Sequence, residues 1–135
     1  MAGETPNKTA SDNRAALALV VAVAGWLVPG LGHLILRKWW RAAIYFLAVG
    51  TLSVIGLALR GNVFSGSSGD AFDFLGFLAD LGTGVFYLVS RFLESSGPDV
   101  SRAAGDYGTR FVATAGVLNM VCLLEAYEIA RGRRD

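Results

Sequence analysis

Apolar and polar segments alternate along the chain with lengths typical of membrane helices. No charged residue occurs from Ala15 to Leu36, and none occurs from Ala42 to Leu59. A third, mostly apolar segment follows at about 109–130. Because roughly 20 apolar residues cross the hydrocarbon of a bilayer as a helix, the pattern predicts an all-α integral membrane helical bundle. Its three spans are expected at about 15–36, 42–59 and 109–130.

The segment between the second and third predicted spans, 60–106, predicts an insertion. Its apolar part, 71–93, contains Asp73 and Asp80 and is interrupted by Gly82-Thr83-Gly84. An aspartate at the centre of a membrane costs about 2.5–3.5 kcal/mol on insertion scales. We therefore expect a helix, a break and a second helix that lie at the interface or re-enter the membrane. A fourth span across 71–93 is the alternative.

The N-terminal residues 1–14 are polar and lack hydrophobic periodicity. This composition predicts a flexible tail before a single helical membrane domain over 15–132. A cleaved signal peptide is the rival interpretation, with Ala22-Val23-Ala24 as its cleavage site. Apolar residues continue past Ala24, which favours a membrane span that stays in the protein.

The stretch Pro29-Gly30-Leu31-Gly32-His33 interrupts the first predicted span. A proline inside a helix removes one backbone hydrogen bond and clashes with the preceding turn, so we expect a kink or break near 26–32. Gly30 and Gly32 allow another backbone to approach closely. We interpret the stretch as a device that bends the chain and packs it tightly.

A basic and aromatic stretch, Arg37-Lys38-Trp39-Trp40-Arg41, follows this turn. Tryptophan rings and the charged ends of lysine and arginine favour the headgroup layer of a bilayer, so we interpret these five residues as an interface anchor. Counting basic residues on the two sides gives a tie for three spans and for four. Charge density alone favours a cytoplasmic position for this loop and for the C-terminus, and we expect a bacterial inner membrane.

Composition narrows the class of protein further. Hydrophobic residues make up 53% of the chain and charged residues 17%, whereas soluble domains carry about 25% charged residues. The net charge of +1 and the lack of a nucleic-acid motif give no reason to expect nucleic acid as a partner. Cys122 is the only cysteine, so no disulfide forms within the chain. No nucleophile–base set, metal-ligand spacing or phosphate loop appears, and we predict a protein that is not an enzyme.

Candidate chemistry rests on a few polar residues in apolar surroundings. His33, the only histidine, could hold a haem or chlorin as its axial ligand, although a packing histidine without a cofactor is the commoner case. If three spans are correct, Glu125 comes to the depth of His33 and Arg41, which predicts a His33–Glu125 or Arg41–Glu125 pair. The alternative leaves Glu125 and Glu128 at the headgroup level, with Glu128 paired to Arg131.

Two further polar residues lie in apolar segments. Asn119 is expected to form a hydrogen bond across to another helix. Asp80, beside Gly82-Thr83-Gly84, could bind a cation or a lipid headgroup. A helix-breaking turn explains the glycines more simply, and we prefer that interpretation.

The pattern of residues resembles the two-transmembrane (TM-two) domain group and its small bacterial relatives. The resemblance lies in the glycine-rich turn 29–33, the basic loop 37–41 and the start of the next helix, Ala42-Ala43-Ile44-Tyr45-Phe46. In that group, the second helix ends with an acidic residue beside an aromatic one. In this chain, the corresponding residues would be Leu118-Asn119 and Glu125-Ala126-Tyr127.

The resemblance covers about 15–60 and 107–132 and implies a compact helical membrane module without an assigned activity. Two departures occur: Arg37-Lys38 stand where the group usually has a glycine, and the insertion at 60–106 is absent from the short form. Together, the resemblance and the pattern single out a structural polar cluster, whose members are Pro29, Gly30, Gly32, His33, Arg41, Asn119, Glu125 and Tyr127.

Three functional hypotheses follow from these observations. The leading one is an accessory or scaffold subunit that packs against other membrane proteins, or against itself, through helix faces rich in small residues. The second is a cofactor-bearing subunit of an electron-transfer or photosynthetic complex, with His33 as the ligand. The third is a minor transporter or channel element that uses Glu125.

Overall fold

The structure, a computed structural model, describes residues 8–59, 71–93 and 103–134. This part of the chain forms six helices and no strand, which confirms the prediction of an all-α protein. Residues 1–7 of the predicted tail, and residues 60–70 and 94–102 of the predicted insertion, lie outside the described residues. The helices are α1 (Lys8–Leu27), α2 (Leu31–Ile35), α3 (Trp39–Ala58), α4 (Ala71–Leu81), α5 (Val85–Leu93) and α6 (Ala103–Ala130).

Two helical segments are long and apolar enough to cross a membrane: Trp39–Ala58 and Tyr107–Ala130. They correspond to the second and third predicted spans. The pair of α4 and α5 could supply a third crossing, although the helix axis turns by 111° between Phe74–Leu81 and Val85–Phe92. Two to three candidate spans are consistent with the expected helical membrane bundle.

The two long apolar helices, α3 and α6, pack antiparallel. Arg41 near the start of α3 contacts Glu125 near the end of α6. At the other end, a Cβ built on Gly56 of α3 would lie 2.5 Å from the Val112 side chain and 2.9 Å from the Gly108 carbonyl oxygen. The helices therefore approach this closely because Gly56 has no side chain.

The first predicted span, 15–36, is divided between two helices in the structure. Helix α1 ends at Leu27, and α2 packs back against it, since a Cβ on Gly32 would lie 2.7 Å from the Val21 carbonyl oxygen. Pro29 cannot donate a backbone hydrogen bond, and Gly30 has a φ of +84° that favours glycine. The sequence predicted the break, but the reversal depends on how the two helices pack.

Helix α1 also begins earlier than expected, at Lys8. No proline or glycine follows Pro6 until Gly25, so no strong helix breaker interrupts 8–14. The helix runs antiparallel to α6, with Arg14 near Gly132 and Trp26 near Asn119. A small buried core joins the two helices, formed by Ala18, Val21, Ala126 and Ala130.

The expected helix–break–helix of the insertion is present as α4, Gly82-Thr83-Gly84 and α5. Gly84 has a φ of +62°, as Gly30 has a positive φ in the first break. The described chain therefore repeats one order of elements: a helix, a glycine-containing break, a shorter helix and a long apolar helix. The last turn of α1, just before the first break, and the second break both lie against α6 at Asn119.

Candidate functional site

Three side chains from α2 and α3 converge on Glu125 of α6. Arg41 donates from its guanidinium to Oε1 of Glu125 at 3.0 Å. The Tyr45 hydroxyl donates to the other carboxylate oxygen, Oε2. His33 Nε2 lies 3.4 Å from the same Oε2. We call these four residues the Glu125 cluster; it compensates the charge of a carboxylate that is only 21% exposed.

His33 is the most deeply buried member of the Glu125 cluster, at 1% exposure. Its ring packs against the ring of Tyr45 with centroids 4.7 Å apart. Among the described residues, Nε2 forms no hydrogen bond of good geometry, and Glu125 Oε2 at 3.4 Å is the polar atom that it faces. Helix α2 therefore places the imidazole against the carboxylate of α6 without exposing it.

The structure brings together both pairs that the sequence offered as alternatives, His33–Glu125 and Arg41–Glu125. Tyr45 was missed as a member of the cluster. The signal for it is positional: Tyr45 follows Arg41 by four residues on α3, which places both on one helix face. Sequence reasoning could have found it once Arg41 was placed beside Glu125.

Tyr127 and Glu128 lie outside the Glu125 cluster. Tyr127 packs against the buried core of α1 and α6, with the Arg131 guanidinium 6.0 Å from its ring centroid. Glu128 forms an ion pair with Arg134 at 3.5 Å, where the sequence had offered Arg131 as its partner. The side chains of Glu128 and Arg134 are 44% and 63% exposed, so their ion pair contributes little to stability.

Asn119 forms a second polar site, at the centre of the candidate span Tyr107–Ala130, where the two helix breaks meet. Its amide donates to the Trp26 carbonyl of α1 at 3.2 Å and to the Gly82 carbonyl of the second break at 2.7 Å. The Trp26 indole in turn donates to the Leu81 carbonyl at 3.0 Å. We call this group the Asn119 junction. It satisfies carbonyls that a helix leaves without partners where it ends.

The backbones at the Asn119 junction lie very close together. A Cβ on Gly84 would overlap the Trp26 carbonyl oxygen, and one on Gly116 would overlap the Ala79 carbonyl oxygen. Asp80 is fully buried beside this contact, and the Thr83 hydroxyl donates to its carbonyl oxygen at 2.6 Å. Gly82-Thr83-Gly84 therefore forms the helix-breaking turn that we preferred for this motif. Cation or headgroup binding by Asp80 stays a prediction.

The five residues of the predicted interface anchor surround the start of α3. Trp39 and Trp40 are 67% and 84% exposed, which is unusual for large aromatic side chains in contact with water. Arg41 differs from the other basic residues because it also belongs to the Glu125 cluster. The anchor therefore presents its two indoles outward, while one of its cations points into the bundle.

The described residues contain no group of three or more His, Cys, Asp or Glu side chains that could hold a metal ion. Cys122 is buried on α6, one turn before Glu125. The Glu125 cluster combines a carboxylate with one guanidinium, one hydroxyl and one imidazole. Such an arrangement can fix helices to one another, or exchange a proton between neighbouring groups.

The fold and its two polar sites define a small, all-helical protein whose apolar helices are compatible with a membrane protein. The chain belongs to a family of unknown function, DUF6677, whose family model matches residues 20–135. No curated protein and no solved structure matches the chain. The match agrees with the expectation of an uncharacterised family. It gives no support to the TM-two resemblance, which stays a prediction.

Proposed function

We propose that this protein is an accessory or scaffold subunit that packs against other membrane proteins. One observation carries the proposal: two polar residues of α6 bond to neighbouring helices within the chain, while large apolar side chains cover the outer faces of α3. Glu125 and Asn119 are both engaged by neighbouring helices. On the outer faces of α3, Ile44, Leu47 and Val54 are each 59–65% exposed. Such a surface packs against lipid or against another apolar helix.

Only part of the small-residue surface of α3 is available to a partner. The buried residues of α3 recur on one helix face at Ala42, Val49, Ser53 and Gly56, and Gly56 on this face contacts α6. Ala42, Ser53 and Gly56 are therefore small residues of α3 that are buried within the chain. A partner would instead meet a groove of about 380 Å³ that is lined by Phe46, Leu47, Gly50, Thr51, Val54, Ile55 and Phe86.

The α3 groove supports docking of a partner's transmembrane helix. Gly50 and Thr51 form small positions between larger apolar side chains, which lets a second helix approach closely. Phe86 of α5 closes one side, with its ring 6.3 Å from that of Phe46. The groove is apolar and open, as a lipid-embedded docking surface requires.

A photocrosslinking amino acid at Leu47 tests this proposal in the native membrane. We expect a discrete crosslinked product from Leu47, which lines the groove, and none from Leu19, which is similarly exposed on α1 at 62%. Co-expression with a differently tagged copy shows whether the product is a homodimer. Equal products from both positions, or none from either, would contradict docking at the groove.

A second candidate function is a transporter or channel element that uses Glu125. It is favoured by the meeting of two helix breaks at Asn119, since broken helices that meet inside a bundle form the substrate sites of many transporters. Asp80 is fully buried at this junction. Glu125 lies six residues further along α6, on the path from the junction to the end of the bundle.

Proton flux into liposomes containing the purified protein tests this candidate. If Glu125 carries protons, Glu125→Gln should abolish the flux, whereas Glu128→Gln should preserve it because Glu128 is itself 44% exposed and pairs with exposed Arg134. Glu125→Gln also weakens the bond to Arg41 and could disturb the fold. The helical content of this variant must therefore match that of the wild type. Flux that is insensitive to Glu125→Gln excludes the candidate.

A cofactor at His33 is the third hypothesis, and the geometry gives it the least support. An axial ligand needs open space at a ring nitrogen, whereas Nε2 of His33 is buried and faces Glu125 at 3.4 Å. A visible absorption band of the purified protein that disappears in His33→Ala would establish the cofactor. A colourless wild-type protein would exclude it.

A further inference from the structure

Arg37 adopts a backbone conformation that disfavours its side chain. Its φ is +60°, the only positive φ of a non-glycine residue in the described chain. The backbone at this point ends α2 by a pair of hydrogen bonds: Arg37 N–H donates to the Leu34 carbonyl at 3.0 Å, and Lys38 N–H donates to the His33 carbonyl at 2.9 Å. This arrangement is the Schellman motif, in which the left-handed position is usually glycine.

The same motif ends α6, and there the left-handed residue is Gly132. Its φ is +72°. Gly132 N–H donates to the Ile129 carbonyl at 2.9 Å, and Arg133 N–H donates to the Glu128 carbonyl at 3.0 Å. The same backbone geometry is therefore adopted by Gly132 after α6 and by Arg37 after α2. The left-handed conformation is costly for residues with a Cβ, so an arginine there indicates a use for its side chain.

The Arg37 side chain has no such use within the described chain. It is exposed and forms no ion pair with the described carboxylates. Lys38, next along the chain, likewise takes part in none of these pairs. Two cations therefore stand between α2 and α3 without a partner among the described carboxylates.

An open apolar groove is lined by residues that precede and follow these two cations in the chain. It has a volume of about 390 Å³ and is lined by residues of the first break, of α2 and of α3: Val28, Pro29, Gly30, Leu31, Leu34, Trp39, Ala42, Ala43 and Phe46. Leu34 and Trp39 flank Arg37 and Lys38 in the chain. The groove contains no charged side chain, so its end at Leu34 and Trp39 is where apolar lining meets positive charge.

We propose that this groove and Arg37 together bind one anionic phospholipid. An acyl chain would lie in the groove, and the Arg37 guanidinium would hold the phosphate of the headgroup, with Lys38 adding positive charge. Guanidinium groups match phosphate oxygens through two parallel hydrogen bonds, and basic side chains near the ends of membrane helices attract anionic lipids. The charge of the site selects an anionic headgroup over a zwitterionic one.

The backbone geometry provides a test that separates binding from folding. Arg37→Gly removes the guanidinium and also relieves the left-handed backbone, so in zwitterionic nanodiscs this variant should unfold at the same temperature as the wild type or higher. Its preference for spin-labelled anionic over zwitterionic phospholipid, measured by electron paramagnetic resonance, should fall about five-fold. This factor corresponds to the roughly 1 kcal/mol that one basic side chain contributes near an anionic membrane surface.

Three comparisons complete the test. Arg133→Gln removes an exposed charge beyond the end of α6 and should leave the lipid preference unchanged. Ala43→Phe narrows the groove and should lower the preference without removing charge. Inorganic phosphate should not displace the labelled lipid. The proposal fails if Arg37→Gly keeps the wild-type preference, if Arg133→Gln lowers it equally, or if phosphate alone competes.

Discussion

Replacing Gly116 with alanine is expected to destabilise the protein by about 3 kcal/mol, at the upper end of the range for overpacked interiors. The added methyl group would overlap the carbonyl oxygen of Ala79 in α4. The obstacle is backbone, so it cannot move aside as a flexible side chain would. Helix α4 would have to separate from α6, which would also pull Gly82 away from Asn119.

Reversible unfolding in mixed micelles, followed by tryptophan fluorescence, measures this loss. The matched control is Gly50→Ala on α3, where the new Cβ would lie 3.5 Å from the Phe86 ring, an ordinary contact distance. Alanine is also the better helix former, so Gly50→Ala should leave the free energy of unfolding within about 0.5 kcal/mol of the wild type. Equal effects of the two substitutions would show that α4 does not pack against Gly116.

Replacing Asn119 with leucine is expected to cost about 2–4 kcal/mol. The substitution leaves the Trp26 and Gly82 carbonyls without their donor, and burying an unsatisfied polar group costs about 1–3 kcal/mol. Both helix breaks should loosen together, because Asn119 is fully buried and contacts each of them. Free energies of unfolding and protease sensitivity near the breaks measure the effect.

Asn119→Asp separates hydrogen bonding from packing in this prediction. Aspartate has nearly the same shape as asparagine but lacks the amide donor, and the oxygen that replaces Nδ2 would face the Trp26 and Gly82 carbonyl oxygens. We therefore expect Asn119→Asp to destabilise the protein at least as much as Asn119→Leu. A wild-type stability for the aspartate variant would mean that Asn119 acts only by filling space.

Local sequence signals predicted the positions of the helices and the points where they break. The apolar segments gave two long helices close to their expected bounds, and the two glycine motifs stand at the two breaks. The sequence could not predict that the chain reverses its direction within the first predicted span. Pro29 and Gly30 end a helix whatever the chain does next, and only the contact of Gly32 with Val21 shows that α2 turns back along α1.

The candidate site was partly accessible to sequence reasoning. His33, Arg41 and Glu125 could be brought together because an acidic residue near the end of one helix needs a cation at the same depth. Tyr45 was missed because a tyrosine near the start of a helix is equally compatible with packing, with an interface position and with hydrogen bonding. The Asn119 junction was predicted only as an unspecified bond across helices, since its acceptors are backbone carbonyls that become available only where helices end.

The sequence by itself determined an all-helical chain with long apolar helices, two breaks and a basic, aromatic loop. These features depend on residue type and spacing, because helix formation, helix breaking and hydrophobicity are local properties. Only the tertiary structure decided that both breaks meet at Asn119, that Tyr45 joins Glu125, and that Arg37 takes a left-handed backbone beside an apolar groove. Those outcomes depend on contacts between residues as many as 93 positions apart, which no local pattern encodes.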